Sequence, residues 1–535
     1  MTQQSEHALP QLAGTAFLEK PPLSYWMSAA ALTVFGDSPG SARLPNLGYA
    51  LVVALAVAAL ALAMGLEGGP LLLSVLVASS ALTAYRVSIW LAPDAGLLAG
   101  NALALLGLWL GYRAAPGRGK AAGYALMHLG AALGFMAKSA PGWLVPALAL
   151  LVLIAWERRW SELRRWELYA GLLLQALIVG PWIFAVAHGA DGAAALRTLL
   201  WNNVVGRFTH VASPAALDYT SGHRNTPGKY LLELPVYLLP WTLVALAALV
   251  RAAHAARVAG ASGTRWRFAL AAAIPWLVVL SLAATARDIY AAPALLGFAL
   301  LAGLWLQESR GGATALDRLC TTGTGVLVAL FMLVVLAALA VLGASGAAPR
   351  WAVVLCAAFI VAIGGVALTH AAQAARAADG WHALAWCYSA YAATVLLSFL
   401  VIAPVVDRWQ DLPGLARRIH RDTAGEALAL LDPDETTLAV MDHGSPAPPA
   451  VLRTSGAPVP EAIARWFTSA GNRARVLVLL PGHAGGDVTR FLGRAGTSSD
   501  GIAGELTSSG AAVLVQRYEL PQGRRYALLG PPPAP

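Results

Sequence analysis

Charge is scarce in this chain. Only 12% of its 535 residues are Asp, Glu, Lys or Arg, while 58% are hydrophobic and the mean hydropathy is +0.62. An ordinary soluble domain carries about twice that charged share, so the composition predicts a polytopic membrane protein. Cysteine is scarcer still. Cys320, Cys356 and Cys387 all lie in or beside apolar segments, which excludes a disulfide framework and offers no thiolate metal site. No phosphate-binding glycine loop and no repeat of fixed period occurs, so a nucleotide-fuelled mechanism has no motif here. The formal charge of +9 is no nucleic-acid signal, because the basic residues fall in short loops between apolar runs, where they orient helices. Residues 1–16 lack the apolar core of a signal peptide, so the amino terminus is expected on one side of the membrane without crossing it.

What is present is a succession of apolar runs. Leu44 to Leu66 holds 23 residues without a charge, enough for one crossing. Pro70 to Tyr112 carries only Arg86 and Asp94 and is too long for one helix, which predicts two crossings joined by a charged turn. Ala121 to Trp156 repeats the pattern around Lys138 and the breaker Pro141-Gly142. Further spans are predicted at Leu168 to His188, Tyr230 to Val250, Phe268 to Thr285, Tyr290 to Leu306, Gly323 to Gly343, Trp351 to Thr369 and Trp381 to Ala403, twelve crossings in all. Lys and Arg concentrate in alternate loops: Arg113 to Lys120, Arg158 to Arg165, Arg251 to Arg267, Arg310 to Arg318, and Arg376. That face is expected to be cytoplasmic. The membrane domain is read as 1–403, with outer loops at 1–43, 86–94 and 189–229. Residues 404–535 are read as a soluble α/β domain with an amphipathic helix around Leu415 to Leu431. Alternating runs follow at Thr437 to Met441 and Arg475 to Leu480, with strands at Ala511 to Arg517 and Arg525 to Leu529, and a Pro-rich tail expected to be disordered.

The outer face collects Glu19, Lys20, Arg86, Asp94, Lys138, Arg207, His223, Arg224, Arg287, Asp288 and Tyr290. Cations predominate, and clustered cations at a leaflet suit a phosphate, above all one carried on a lipid. Each residue also has a plain structural reading. Lys20 suits a snorkelling flank, and Asp94, directly after Pro93, suits a helix cap. Lys138 suits a turn, and Arg287 with Asp288 suits a surface ion pair. His223 suits a solvated loop; no second ligand sits at metal spacing, so no metal is assigned. Their joint occurrence on one face carries the functional reading. At its front stands Phe-Leu-Glu-Lys-Pro-Pro-Leu-Ser-Tyr-Trp, residues 17–26, where two prolines predict a rigid non-helical elbow presenting Glu19 and Lys20, and Tyr25 and Trp26 suit the water-lipid boundary.

The elbow, followed by Ala42-Arg43-Leu44-Pro45, resembles the first outer loop of the lipid-linked-sugar glycosyltransferases of the C-type membrane fold. The similarity is to bacterial transferases that move aminoarabinose onto lipid A, and to protein O-mannosyltransferases. Further islands are Asp94; Ala137-Lys138-Ser139-Ala140-Pro141, similar to a Lys-Gly-Pro turn; Trp201 to Phe208; Pro240-Trp241; and Arg287-Asp288-Ile289-Tyr290 with Pro293. The resemblance implies a glycosyltransferase that moves a sugar from undecaprenyl phosphate to an envelope acceptor such as lipid A by direct, inverting displacement. It implies no cofactor beyond the lipid carrier, membrane lipids as partners, no nucleic acid, and a monomer. The expected location is the bacterial inner membrane, with the active site and C-terminal domain on the periplasmic face. Carried over by motif, Lys20, Arg207, Lys138 and Arg287 bind the carrier phosphate and Tyr290 lines that site. Asp94 assists as a second acid, and Glu19, Tyr25, Arg86, His223 and Arg224 contact sugar or acceptor.

The family pattern also implies a further helix and an Asp-Glu motif, whose aspartate is the proposed base, some ten or more residues ahead of position 1. Glu6 lies too close to the elbow to align with it. The expectation is therefore a start upstream or a truncated relative. Two other readings stand beside the transferase: a multispanning transporter or lipid flippase, since twelve helices with embedded charges suit a substrate pathway, and a catalytically dead relative that binds the lipid carrier.

Overall fold

The computed structural model describes residues 8–189, 191–203, 225–283, 287–443, 445, 449–453, 459–480 and 501–533. Among them, eight helices are long and apolar enough to cross a membrane, or nine if the pair Gly69–Ser80 and Leu82–Ile89, bent by 57°, counts as one span. The other expected crossings correspond to Arg118–Lys138, Pro141–Glu157 and the residues 229–255. Each predicted apolar run thus contains a helix. Tyr230 to Val250 does not form one continuous span, however: it breaks into Lys229–Tyr237 and Thr242–Ala255 around a cis Leu239–Pro240 bond.

A proline without an N–H cannot close the helical ladder, and open backbone groups inside an apolar layer need partners. This break finds them in the other bent helix. Leu82 N donates to Leu239 O at 2.9 Å, and the fully buried Trp241 donates from Nε1 to Ser80 Oγ at 2.9 Å.

The tightest packing joins Asp94–Arg113 to Arg118–Lys138, two antiparallel helices that meet along glycines. A Cβ added at Gly100, Gly107 or Gly111 would run into the facing helix at Gly134, Met127 and Tyr124 respectively. Small residues at such a seam let two helix backbones approach closely where no hydrophobic effect drives them together. The hairpin's closed end carries an ionic network. Lys120, 1% exposed, pairs with Glu162 and donates to Gly111 O at 2.8 Å; Tyr124 donates to Glu162 at 2.6 Å. Glu157 accepts from Tyr112, Thr264 and Arg267 at 2.8, 2.6 and 3.0 Å. Lys120 and Arg267 are therefore more than loop charges that orient helices.

The last long helix, Gly380–Trp409, continues past Pro404, where the composition changes. Beyond it lies a five-stranded sheet in the order Ala450–Leu452, Ala427–Leu431, Ala474–Leu479, Arg525–Gly530, Val513–Glu519, parallel for the first three strands and antiparallel thereafter. Two local expectations fail. The amphipathic helix is Leu412–Asp422; residues 427–431 form a strand, because Gly425 at φ +77 ends the helical path and the following run is buried on both sheet faces. Thr437 to Met441 belongs to the helix Glu435–Asp442, which Asp434 caps by accepting from Thr437 N at 2.9 Å.

Burial alone would raise the Asp434 carboxyl, but Arg524 and Thr437 donate to it and hold it below the usual carboxylate range. With its folded-state pKa depressed, the group adds stability above its unfolded pKa and loses it as pH falls through the folded value. Thermal melting followed between pH 6 and 3 is expected to decline toward pH 3, and Asp434→Asn, which keeps a cap but not the charge, should flatten that decline.

Lys120→Met should cost about 3–5 kcal/mol by removing the ammonium buried against Glu162 and leaving that carboxylate only Tyr124 and the more distant, half-exposed Arg159 at 3.6 Å. The check is a thermal melt in detergent; an unchanged midpoint would contradict it.

Candidate functional site

The ends of four helical segments converge on one face, and every functional side chain there stands at a helix break. The elbow is as predicted: residues 17–22 are non-helical, Pro21 and Pro22 are buried, and a helix begins at Leu23. Lys20, 9% exposed, turns back on Glu19, donating to its carbonyl oxygen at 3.1 Å and its Oε2 at 3.2 Å. Asn203 holds the elbow from outside, donating from Nδ2 to Leu18 O at 2.7 Å and Glu19 O at 3.2 Å.

The hairpin brings its two ends together, so the first residue of Asp94–Arg113 faces the last of Arg118–Lys138. Asp94 and Lys138 form a buried ion pair there, and Lys138 Nζ lies 4.1 Å from the centroid of the Tyr290 ring. This overturns the capping reading of Asp94, since its side chain caps nothing and Pro93 is the N-cap residue. It also overturns the reading of Lys138 as a plain turn residue. Behind Asp94, the buried Asn46 fixes the preceding turn through Nδ2 to Trp90 O at 2.7 Å.

Tyr290 is held by Trp276, whose Nε1 donates to the Tyr290 carbonyl at 2.9 Å. The buried Tyr230 hydroxyl clamps Arg287, accepting from its N–H at 3.1 Å and donating to its carbonyl at 3.0 Å.

One cavity is lined by Glu19, Lys20, Lys138, Ser139, Asn203, Trp276 and Tyr290, together with apolar side chains. It unites four of the residues singled out from sequence. Asp94 stands behind Lys138 rather than on the cavity wall. Arg86 is turned into an ion pair with Asp288 and stacks on Trp90, 5.2 Å from the ring centroid, so it does not line the cavity either. Arg287 and Asp288 do not form the surface pair with each other that their adjacency suggests. Tyr25 lines a neighbouring groove with Phe17 and Glu435 of the C-terminal domain. Arg207, His223 and Arg224 lie outside the described residues.

The expected cation surplus is smaller than the sequence suggests, because Lys20, Lys138 and Arg86 are each matched by a carboxylate. Among the described residues, no group of three His, Cys, Asp or Glu side chains is placed to hold a metal ion. Four contributors were not assigned roles from sequence: Asn203, Ser139, Trp276 and Glu435. Partial burial and the nearby Glu19 raise the Glu435 carboxyl, with Lys20 and Arg287 opposing, so this acid of the soluble domain feels the elbow directly.

Residues 19–184 match the family model of dolichyl-phosphate-mannose-protein mannosyltransferase. The chain is 31% identical over 354 residues to the undecaprenyl phosphate-alpha-4-amino-4-deoxy-L-arabinose arabinosyl transferase of Pseudomonas paraeruginosa, spanning 62% of this chain and 57% of that protein. It is 26% identical over 243 residues to the transferase of the same name from Edwardsiella ictaluri, spanning 45% and 42%. The crystal structure of ArnT from Cupriavidus metallidurans bound to undecaprenyl phosphate superposes with a TM-score of 0.70 at 14% identity, covering 99% of this chain and 91% of that one. The apo form gives 0.67 at 15% identity. The fold is that of the C-type membrane glycosyltransferases.

Within this C-type fold, one backbone detail departs from ordinary sterics. Ser139 sits at φ +64, ψ −141, a region essentially reserved for glycine, where the resembling turn has Lys-Gly-Pro. Its buried hydroxyl has no hydrogen-bond partner among the described residues and belongs to a residue lining the cavity. Ser139→Gly should therefore raise stability by about 1–3 kcal/mol through relief of backbone strain, read as a higher melting midpoint in detergent. A lower midpoint would show that the serine side chain stabilises the turn more than its backbone strains it.

Proposed function

We propose that this protein transfers a sugar from a polyprenyl phosphate to an envelope acceptor. The observation that carries the reading is the convergence of Lys20, Lys138, Ser139 and Tyr290 on one cavity at the ends of apolar helices. Two ammonium groups and an unpartnered hydroxyl suit a phosphate, and an apolar setting suits its lipid tail. The named relatives act on an undecaprenyl-phosphate sugar, and the ArnT crystal structure is bound to undecaprenyl phosphate; both support that carrier here.

In the reaction an acceptor oxygen forms a bond to the anomeric carbon as the bond from that carbon to the phosphate oxygen breaks. The electron pair leaves with the lipid phosphate, and the acceptor proton passes to a carboxylate. Lys20 and Lys138 would stabilise the departing phosphate, in the way that preorganised donors stabilise developing charge. Tyr290 positions the Lys138 ammonium through its ring face. Asp94 acts through Lys138 as a positioning residue. Glu19 is the only carboxylate lining the cavity among the described residues. The C-terminal domain is read as lying on the same, periplasmic, face of a bacterial inner membrane, with a lipid acceptor such as lipid A and a monomeric enzyme.

Lys20→Ala and Lys138→Met should each lower transfer from a labelled undecaprenyl-phosphate sugar about 10²–10³-fold in membranes, and Arg207→Ala should do the same. Transfer that persists at the parental rate in both lysine variants would defeat the proposal.

A further inference from the structure

A second polar cavity lies at the opposite end of the helix Ala292–Ser309, which starts beside Tyr290 and runs for 18 residues. At 1.5 Å per residue this places it about 27 Å from the candidate site, across the apolar layer. The cavity measures about 300 Å³ and is lined by Trp305, Arg310, Arg318, Thr321, Asp379 and Trp381, among others. It sits on the face that carries most of the chain's loop arginines.

The charges facing it are unevenly engaged. Asp317 is already taken, paired with Arg251 and accepting from Trp305 Nε1 at 2.7 Å and Thr314 N at 2.8 Å. Asp379 is bound to His382 Nδ1 at 2.6 Å. Arg310 and Arg318 are both exposed and close no ion pair among the described residues; burial would raise the Asp379 carboxyl, but His382 holds it below the usual range, with a small further contribution from Arg310. Two guanidinium groups thus stand at a pocket whose carboxylates are satisfied elsewhere.

Another cavity adjoins it. This slot of about 200 Å³ shares Thr321 and Ala375 with the first and is lined further by Gly325, Val326, Ala329 and Leu368 in the apolar layer. Thr321, Gly325 and Ala329 follow one another at four-residue spacing on a single helix face, a slot about 12 Å long. Mostly small side chains line it from three helices, Ala315–Ala344, Gly365–Arg376 and Gly380–Trp409, and leave an open slot between them rather than a packed seam. A basic head pocket opening into an apolar slot at membrane depth has the shape and chemistry of a phospholipid.

We propose that this face binds an anionic phospholipid, with its phosphate on Arg310 and Arg318 and one acyl chain in the Thr321–Ala329 slot. The head pocket supplies bidentate donors to the phosphodiester, and the slot supplies the hydrophobic contact. No bond is made or broken. The site is independent of sugar transfer and stands whether or not that reading holds.

The test uses the full chain purified in detergent and delipidated, titrated with phosphatidylglycerol, phosphatidylcholine or inorganic phosphate, with native mass spectrometry and thermal melting as readouts. Phosphatidylglycerol is expected to bind at least about tenfold more tightly than phosphatidylcholine, as befits charged hydrogen bonds to phosphate reinforced by net anionic charge. Arg310→Ala with Arg318→Ala should abolish that preference, while the double Lys variant, which keeps the charge, should retain most of it and controls for folding. Gly325→Leu should weaken both lipids about tenfold, since its Cβ meets only Cys387 Sγ at 3.5 Å and the rest of the side chain fills the slot. Equal binding of the two lipids, a preference that survives the double Ala variant, or inorganic phosphate stabilising the protein as much as phosphatidylglycerol would each overturn the proposal.

Discussion

The candidate site depends first on the ion pair of Lys138 and Asp94, both under a tenth exposed. A lone ammonium or carboxylate placed there would lose several kcal/mol of hydration, so neither residue is tenable without the other. Topology delivers them together at no cost in loop order: they are the last and first residues of two helices joined by a short turn and sealed along glycines. Their positions are favourable a second time. Asp94 stands at a helix N-terminus, where the macrodipole is positive, and Lys138 at a C-terminus, where it is negative. The glycine seam is therefore a functional constraint as well as a packing device, because any side chain there would spread the hairpin and pull the pair apart.

The other parts of the site are places where a helix stops. The elbow at 17–22, the turn at 90–93, the strained Ser139 and the short Asp288–Ala291 segment all put irregular backbone at one end of the bundle. In an apolar layer such backbone survives only where protein or solvent satisfies it, and here side chains do so: Asn203 for the elbow, Asn46 for the turn, Tyr230 and Trp276 for the segment holding Arg287 and Tyr290. Apart from Trp276, which comes from the preceding helix, the groups that hold these breaks come from segments more than 40 residues away in sequence. Rigidity of the site is thus a property of the bundle, and not of any one loop.

This explains what was readable from the chain and what was not. Apolar runs and their interrupting charges marked nearly every helix, and Pro21-Pro22 marked the elbow, because hydropathy and proline act locally. The Tyr230 to Val250 run misled because a break compensated by a distant partner leaves no local mark beyond Pro240. The strand at 427–431 misled because a short, fully apolar run after an amphipathic helix has no period of its own. Asp94 was open to a capping role until Lys138, 44 residues later, was seen beside it. Glu435 gave no signal at all: a single acid in a soluble domain acquires meaning only when that domain is seated against the elbow. Ser139 was legible only as part of a turn similar to Lys-Gly-Pro; its positive φ was not.

Seating of the soluble domain is arranged by the first described residues. Trp182 Nε1 donates to Ala8 O at 3.0 Å on the membrane side, while Ala13 N donates to Asp442 Oδ2 at 3.1 Å on the other, and Leu12 packs into the apolar core beneath the sheet. The short hairpin Gln11–Leu12 with Thr15–Ala16 is in effect a clip between the two parts, and the elbow follows it directly. A phosphate entering the cavity would meet Lys20 with its charge partly spent on Glu19, and Lys138 with Asp94 behind it. The two lysines are not equivalent in this respect. Asp94 does not line the cavity, so Lys138 can keep its carboxylate behind it while its ammonium faces a phosphate. Glu19 does line the cavity, so a phosphate on Lys20 must displace or repel it. The same event that binds the phosphate would therefore loosen a carboxylate beside it, which is the condition under which that carboxylate can accept a proton.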